Sequence, residues 1–222
     1  MGDVKSLLYL VSIGLFLIQL TGDVFAYDDG DWQYWNTESM EGNISDRWKI
    51  KLEEEFRFGD SAGEFYYQHS DLGLNYKYSK WFSLGLNYRQ IYEKKKGDWE
   101  EENRPHVNGA VEWTWADFTF IDNNRLEYRV RENKDDYLRY RNKLTAKIPF
   151  KCTKFDIQPY VADEVFVDFD EGRLNRNRLY IGAGGKLIKH LKVDVFYLWQ
   201  SSKSGSSWVD YNVIGTKLKI VF

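Results

Sequence analysis

The chain has little of several things that most folds rely on. Its 222 residues include one cysteine, Cys152, so no disulfide can form within the chain, and ladder hydrogen bonds and packing must hold the fold. That cysteine does not directly follow the amino-terminal segment, where the modified cysteine of a lipoprotein would sit. Three prolines are few for a protein built of loops. Neither charge dominates: 31 basic and 34 acidic residues give a formal net charge of -3 and are mixed along the chain, which leaves no basic field for nucleic acid. Outside the first 26 residues no stretch is continuously apolar, so a membrane location would require a barrel rather than helices. The mean hydropathy of -0.60 does not argue against this, because a transmembrane barrel averages out as polar.

Aromatic residues, in contrast, are abundant. Tyr, Phe and Trp number 16, 14 and 9, together 18% of the chain, and such residues favour strands and membrane interfaces. Residues 1–26 begin with Lys5, continue through the 14-residue apolar run Leu7 to Leu20, and end in Val24-Phe25-Ala26. The run falls short of the roughly 20 residues that span a bilayer, so the segment reads as an export signal cleaved near Ala26. Residues 27–45, acidic and aromatic with weak periodicity, form an amino-terminal segment or a first strand. Residues 46–222 form the main domain.

From Asp46 apolar and polar residues alternate, the signature of half-buried strands. Trp48, Ile50, Leu52, Phe56 and Phe58 lie opposite Lys49, Lys51, Glu53, Glu55 and Arg57, with Glu54 breaking the apolar face. The last stretch is the clearest: Ile214, Thr216, Leu218, Ile220 and the terminal Phe222 share one face, and Lys217 and Lys219 the other. An aromatic residue closing such a strand resembles the assembly signal of bacterial outer-membrane barrels. Around residues 122–124 the alternation fails, which predicts a bulge or a shifted turn. Short connections near 79–80, 116–117, 150–154 and 188–190 alternate with longer polar ones at 59–64, 93–104, 132–136, 169–174 and 201–207, the asymmetry of an outer-membrane barrel. The expected fold is an all-β, antiparallel transmembrane β-barrel of about ten strands, an even number, with twelve as the alternative. A soluble lipocalin-like barrel would alternate too, with its apolar face turned inward.

If the apolar face meets lipid, the charged face lines the lumen, where charges must pair or hold water. The main expectation is a structural or surface-interaction barrel filled by ion pairs. The alternative is a small anion-preferring channel or anion-binding barrel. Its candidate ligand-binding residues are Arg125, Arg129, Arg139, Arg141, Arg176 and Arg178, because arginine's planar fork suits carboxylate and phosphate. No catalysis is expected. His69-Ser70-Asp71 is the one place where a base, a hydroxyl and a carboxylate meet, and adjacent strand residues point to opposite faces. Three scattered histidines and the Asp28-Asp29-Asp31 cluster lack a trustworthy metal-ligand spacing, so neither a metal nor another cofactor is expected.

Several short segments resemble DUF2490, a bacterial family of unknown function. They are Trp32-Gln33, Arg125-Leu126-Glu127-Tyr128-Arg129, Leu138-Arg139-Tyr140-Arg141, Glu164-Val165-Phe166, Asn177-Arg178 followed by Gly182, and Tyr197-Leu198-Trp199-Gln200. The resemblance implies an exported barrel in the outer membrane of a Gram-negative bacterium, and supplies no catalytic residues. The partners expected from the barrel reading are outer-membrane lipid and the barrel-assembly machinery acting through the strand that ends at Phe222, with a small anionic solute added on the channel or anion-binding alternative.

Overall fold

The computed structural model describes residues 29–132, 134–150, 153–170 and 172–222. The export signal read over residues 1–26, Asp28 and Cys152 lie outside them. Eleven strands follow one another as a meander: β1 (Asp31–Asn43), β2 (Trp48–Gly59), β3 (Glu64–Lys77), β4 (Phe82–Lys95), β5 (Asp98–Trp115), β6 (Phe118–Arg131), β7 (Tyr137–Lys147), β8 (Gln158–Asp168), β9 (Arg173–Ile188), β10 (Leu191–Ser204) and β11 (Ser207–Val221). Each pairs with the next, and β1 pairs with β11 to close the barrel.

The expectation of about ten strands, all antiparallel, is therefore corrected. The segment before Asp46 is a full strand, and ten antiparallel steps, an even number, bring β1 and β11 together pointing the same way. They pair in parallel from Asp31 with Tyr211 to Glu41 with Val221, and Tyr34 and Thr216 join their hydroxyls at 2.7 Å across the seam. The strand was hard to see because it is aromatic on both faces. Trp32 points outward and Trp35, 4% exposed, points inward, so the period of two is masked. Asp31 pins its start by accepting the backbone N–H groups of Asp60 and Ser61.

The two classes of connection also need correction. The stretch 93–104 is almost all strand, and β4 turns into β5 through Lys96 and Gly97 alone, with φ of 52° and 95°. Two consecutive left-handed residues are what a tight hairpin matched to strand twist requires. The longest connection, residues 148–157, lies on the rim expected to carry short turns. That rim also holds Phe222, and the opposite rim holds Asp31.

No bulge interrupts β6. Its register with β7 is continuous from Thr119–Lys147 to Arg129–Tyr137. The alternation fails there because Asp122 and Asn124 face outward, where Asn142 donates to both. The irregular registers fall elsewhere, at Arg57/Phe58, Phe166/Val167 and Leu191/Lys192.

Successive pairings carry Gly42, near the Phe222 rim, through Ile50, Leu74, Leu86, Val107, Leu126, Tyr140 and Val167 to Leu174, near the Asp31 rim. A row that climbs from rim to rim means strongly tilted strands, the geometry of a closed barrel. Almost every member of that row is apolar and faces outward; Leu86 is 64% exposed. The inward face holds the charges, so the pattern is inverted relative to a lipocalin-like barrel.

The candidate functional site: a charged lumen with two basic cavities

Side chains pointing inward fill the middle of the barrel. Every strand except β2 sends in at least one that is buried, including Trp35, His69, Arg89, His106, Glu127, Arg139, Glu164, Tyr180, Leu198 and Val213. The filling is divided. Trp35, Ala162, Tyr180, Phe196, Leu198 and Val213 form an apolar cluster on the wall made by β1 and β8 to β11, which sequence alternation did not predict. Phe196 lies flat against the bare backbone of Gly215, where any Cβ would stand 2.0 Å from its ring. Tyr66, Tyr67 and Ile91 form a smaller cluster on β3 and β4, and the rest of the wall is a lattice of carboxylates and arginines.

Each of the carboxylates Glu102, Glu127, Glu164 and Asp71 serves more than one partner. Glu102 takes Arg104 Nε at 2.6 Å and Arg129 Nη2 at 2.6 Å. Glu127 holds Arg139 in a close pair and faces Arg141 at 3.6 Å. Glu164 accepts Arg141 Nη2 at 2.5 Å and the Tyr180 hydroxyl at 2.8 Å, with Arg178 Nη1 at 3.4 Å. Asp71 binds Arg89 Nε at 2.7 Å and Asn87 Nδ2 at 2.7 Å. Strand alternation places these groups: on β6 and β7 it brings Glu127, Arg125, Arg129, Arg139 and Arg141 to the inner face, with Arg139 directly opposite Glu127. Charge-assisted bonds shared in this way compensate for desolvation that isolated ions could not bear.

Toward the Asp31 rim the lattice leaves a small chamber of about 50 Å³. Eight arginines line it against one carboxylate, Glu93, together with Tyr67 and Phe166. Five of the six arginines proposed from sequence meet here: Arg129, Arg139, Arg141, Arg176 and Arg178. The sixth, Arg125, does not line the chamber; its Nε binds Asn108 at 2.7 Å. Arg57, Arg89 and Arg104 complete the lining. Arg57 and Arg89 fall on the polar face of alternating stretches, whereas Arg104 lies in a stretch polar on both faces, within the expected connection 93–104. Arg176 stands out, because its Nε is buried with no hydrogen-bond partner, and among the described residues no carboxylate lies within salt-bridge distance of it.

Toward the Phe222 rim the lumen opens into a mouth of about 640 Å³. Seven lysines line it against Glu53, Asp156 and Asp194. Lys51 and Lys219 are paired, with Glu53 and Glu41 at 2.5 Å each. Lys143 instead lays its amine over the Tyr180 ring, 3.5 Å from the centroid.

The triplet His69-Ser70-Asp71 is split by the strand. His69 and Asp71 are buried in the lumen, and Ser70 faces outward and donates to Glu54 at 2.8 Å. Asp29 and Asp31 of the acidic cluster accept backbone N–H groups of Asp210, Asp60 and Ser61.

The arrangement defines a closed β-barrel with an apolar exterior and an interior of paired charges. The family described as "Protein of unknown function (DUF2490)" matches residues 32–211, and the chain belongs to that family. No curated protein matches the chain.

Proposed function

We propose that the chain is an outer-membrane β-barrel of a Gram-negative bacterium, with a lumen closed by its ion-paired core and a structural or surface-interaction role. The observation that carries this reading is the outward apolar face. Leu52, Leu72, Leu86, Ile181 and Val195 are all exposed, and Trp32, Trp48, Trp81, Trp99, Trp113 and Trp115 stand near strand ends or turns and are exposed as well. In water such a surface would be costly; in a bilayer it is the required one, with the aromatics at the two interfaces. The export signal read in residues 1–26 supports the location, and β11 ending at Phe222 supplies the strand through which the barrel-assembly machinery would act. On this reading the protein performs no chemistry. Because β1 and β11 run in parallel, Asp31 and Phe222 lie on opposite rims, so the ends of the barrel face opposite sides of the membrane.

The test is reconstitution of the mature chain into lipid vesicles and then a planar bilayer. The expected result is a heat-modifiable, protease-resistant inserted barrel that passes no steady current. Steady discrete openings would overturn the closed lumen, and failure to insert would overturn the membrane location. A second reading, a binding place for one small anion in the arginine chamber, is favoured by the eight arginines and by the unpartnered Nε of Arg176. It predicts saturable chloride or phosphate binding that Arg176→Gln weakens.

A further inference from the structure

The geometry points to the lysine mouth as a binding site for a small soluble polyanion, a molecule carrying two or more phosphate or carboxylate groups. The inference rests on the lumen alone and stands whether or not the outer face meets lipid.

Three observations carry it. First, lysines are aligned rather than dispersed: Lys192 on β10 is directly opposite Lys186 on β9 and directly opposite Lys219 on β11. All three line the mouth. Like charges opposed across strands destabilise a sheet, and an anion seated between them relieves that repulsion. Second, Lys143, Lys147, Lys186, Lys192 and Lys217 have no carboxylate within salt-bridge distance among the described residues, although all five line the same space. Two of the three lining carboxylates are already engaged, Glu53 with Lys51 and Arg89 and Asp194 with the Tyr160 hydroxyl at 2.8 Å, and the third, Asp156, is one carboxylate among seven lysines. Third, the space is kept open. Gly184, on the inward face opposite Asp194, contributes no side chain to it, and a Cβ there would stand 2.8 Å from Asp194 Oδ2. At this edge the Lys186 N–H donates to the Phe155 carbonyl at 2.7 Å, and Asp156 and Gln158 join the lining.

These features select the ligand. A volume of about 640 Å³ falls within the range of small-molecule sites and far exceeds what one chloride or one phosphate needs. Lysines on flexible stems act as separate point charges rather than as a planar fork, so several of them suit a molecule with several anionic groups spread over its length. The lysines are on the inner wall, so the barrel separates them from anything held on its outer face, which is why a soluble ligand is specified.

The test uses the folded mature chain in a zwitterionic detergent, with tripolyphosphate, citrate and inorganic phosphate as probes in titration calorimetry at low salt. Tripolyphosphate or citrate should bind with 1:1 stoichiometry and at least tenfold more tightly than phosphate. The double variant Lys186→Gln/Lys192→Gln should lose at least tenfold of that affinity, while Arg176→Gln should leave it unchanged. In the unmodified chain, bound tripolyphosphate should slow acylation of Lys186, Lys192 and Lys217, read by mass spectrometry, and leave exposed Lys80 and Lys134 as reactive as before. Absence of saturable binding, equal affinity for phosphate and tripolyphosphate, or uniform protection of all lysines would overturn the proposal. Each of these readouts is independent of bilayer insertion and conductance, so its failure is distinguishable from failure of the membrane reading.

Discussion

The two basic regions of the lumen carry charge of the same sign and treat it in opposite ways. In the arginine chamber nearly every guanidinium is shared with a buried carboxylate, and the space that remains is about 50 Å³. In the lysine mouth five ammonium groups lack a carboxylate partner among the described residues, and about 640 Å³ stays open. The difference lies in the intervening residues. Glu102, Glu127 and Glu164 alternate with arginines across β5 to β9, whereas the strand ends at the Phe222 rim place lysine beside lysine. Guanidinium forks can share a carboxylate and pack flat on rings, as Arg141 and Arg178 do over Phe166 at 4.7 and 4.9 Å. Flexible, strongly hydrated ammonium groups favour an open, wet space. One region is built for closure and the other for access.

The contrast is tested most severely at Glu127, which is 1% exposed and placed between Arg139 and Arg141. Glu127→Gln keeps the volume and removes the charge, leaving two buried guanidinium groups short of a partner. Breaking a buried pair in this way costs about 3–5 kcal/mol, to be read as an earlier midpoint in urea unfolding of the vesicle-inserted barrel. A loss below about 1 kcal/mol, the range of an exposed pair, would mean that the lattice fills the lumen without holding it together.

A smaller effect comes from the outer face. Leu86 lies in the apolar row and is 64% exposed, so in water Leu86→Arg would change stability by no more than about 0.5 kcal/mol. Facing the bilayer midplane it costs about 2–4 kcal/mol. Comparing urea midpoints of this variant and the parent in vesicles separates the two environments, and near-neutrality would remove the main support for the membrane location.

How much of this was legible in the sequence follows from the same alternation. Wherever one face is apolar and the other charged, as in Trp48 to Phe58 or Ile214 to Ile220, the strand and its orientation could be read, and so could five of the chamber's arginines as a group. Legibility failed where both faces look alike. β1 is aromatic on both sides, so the choice between a segment and a first strand over residues 27–45 stayed open, and the parallel seam was not expected. Glu100 to Pro105 is polar on both sides, so Arg104 was lost in an expected loop. Asp122 and Asn124 face outward but satisfy one another through Asn142, which mimics a break in a strand that is continuous. The apolar wall around Phe196 and Leu198 was hidden for a related reason, since Leu198 and its outward neighbours Tyr197 and Trp199 are all apolar. Pairing partners are a further kind of information. That Lys192 meets Lys186 and Lys219 depends on register, including the shift at Leu191/Lys192, and no local pattern encodes it.

The smallest predicted effect has the opposite sign. Lys192 stands between Lys186 and Lys219 in the ladder and has no carboxylate partner among the described residues, so Lys192→Gln removes two like-charge contacts and breaks no ion pair. Cross-strand contacts of this kind are worth roughly 0.2–1 kcal/mol, and the variant should therefore be slightly more stable than the parent, where Glu127→Gln is much less stable. The gain should be largest in dilute buffer and shrink as salt rises, because exposed charges are screened beyond about 8 Å at physiological ionic strength. Urea midpoints at low and high salt measure it. A loss of stability on removing this lysine would mean that the mouth, like the chamber, is a paired structure, and that its open volume is incidental to how its charges are held.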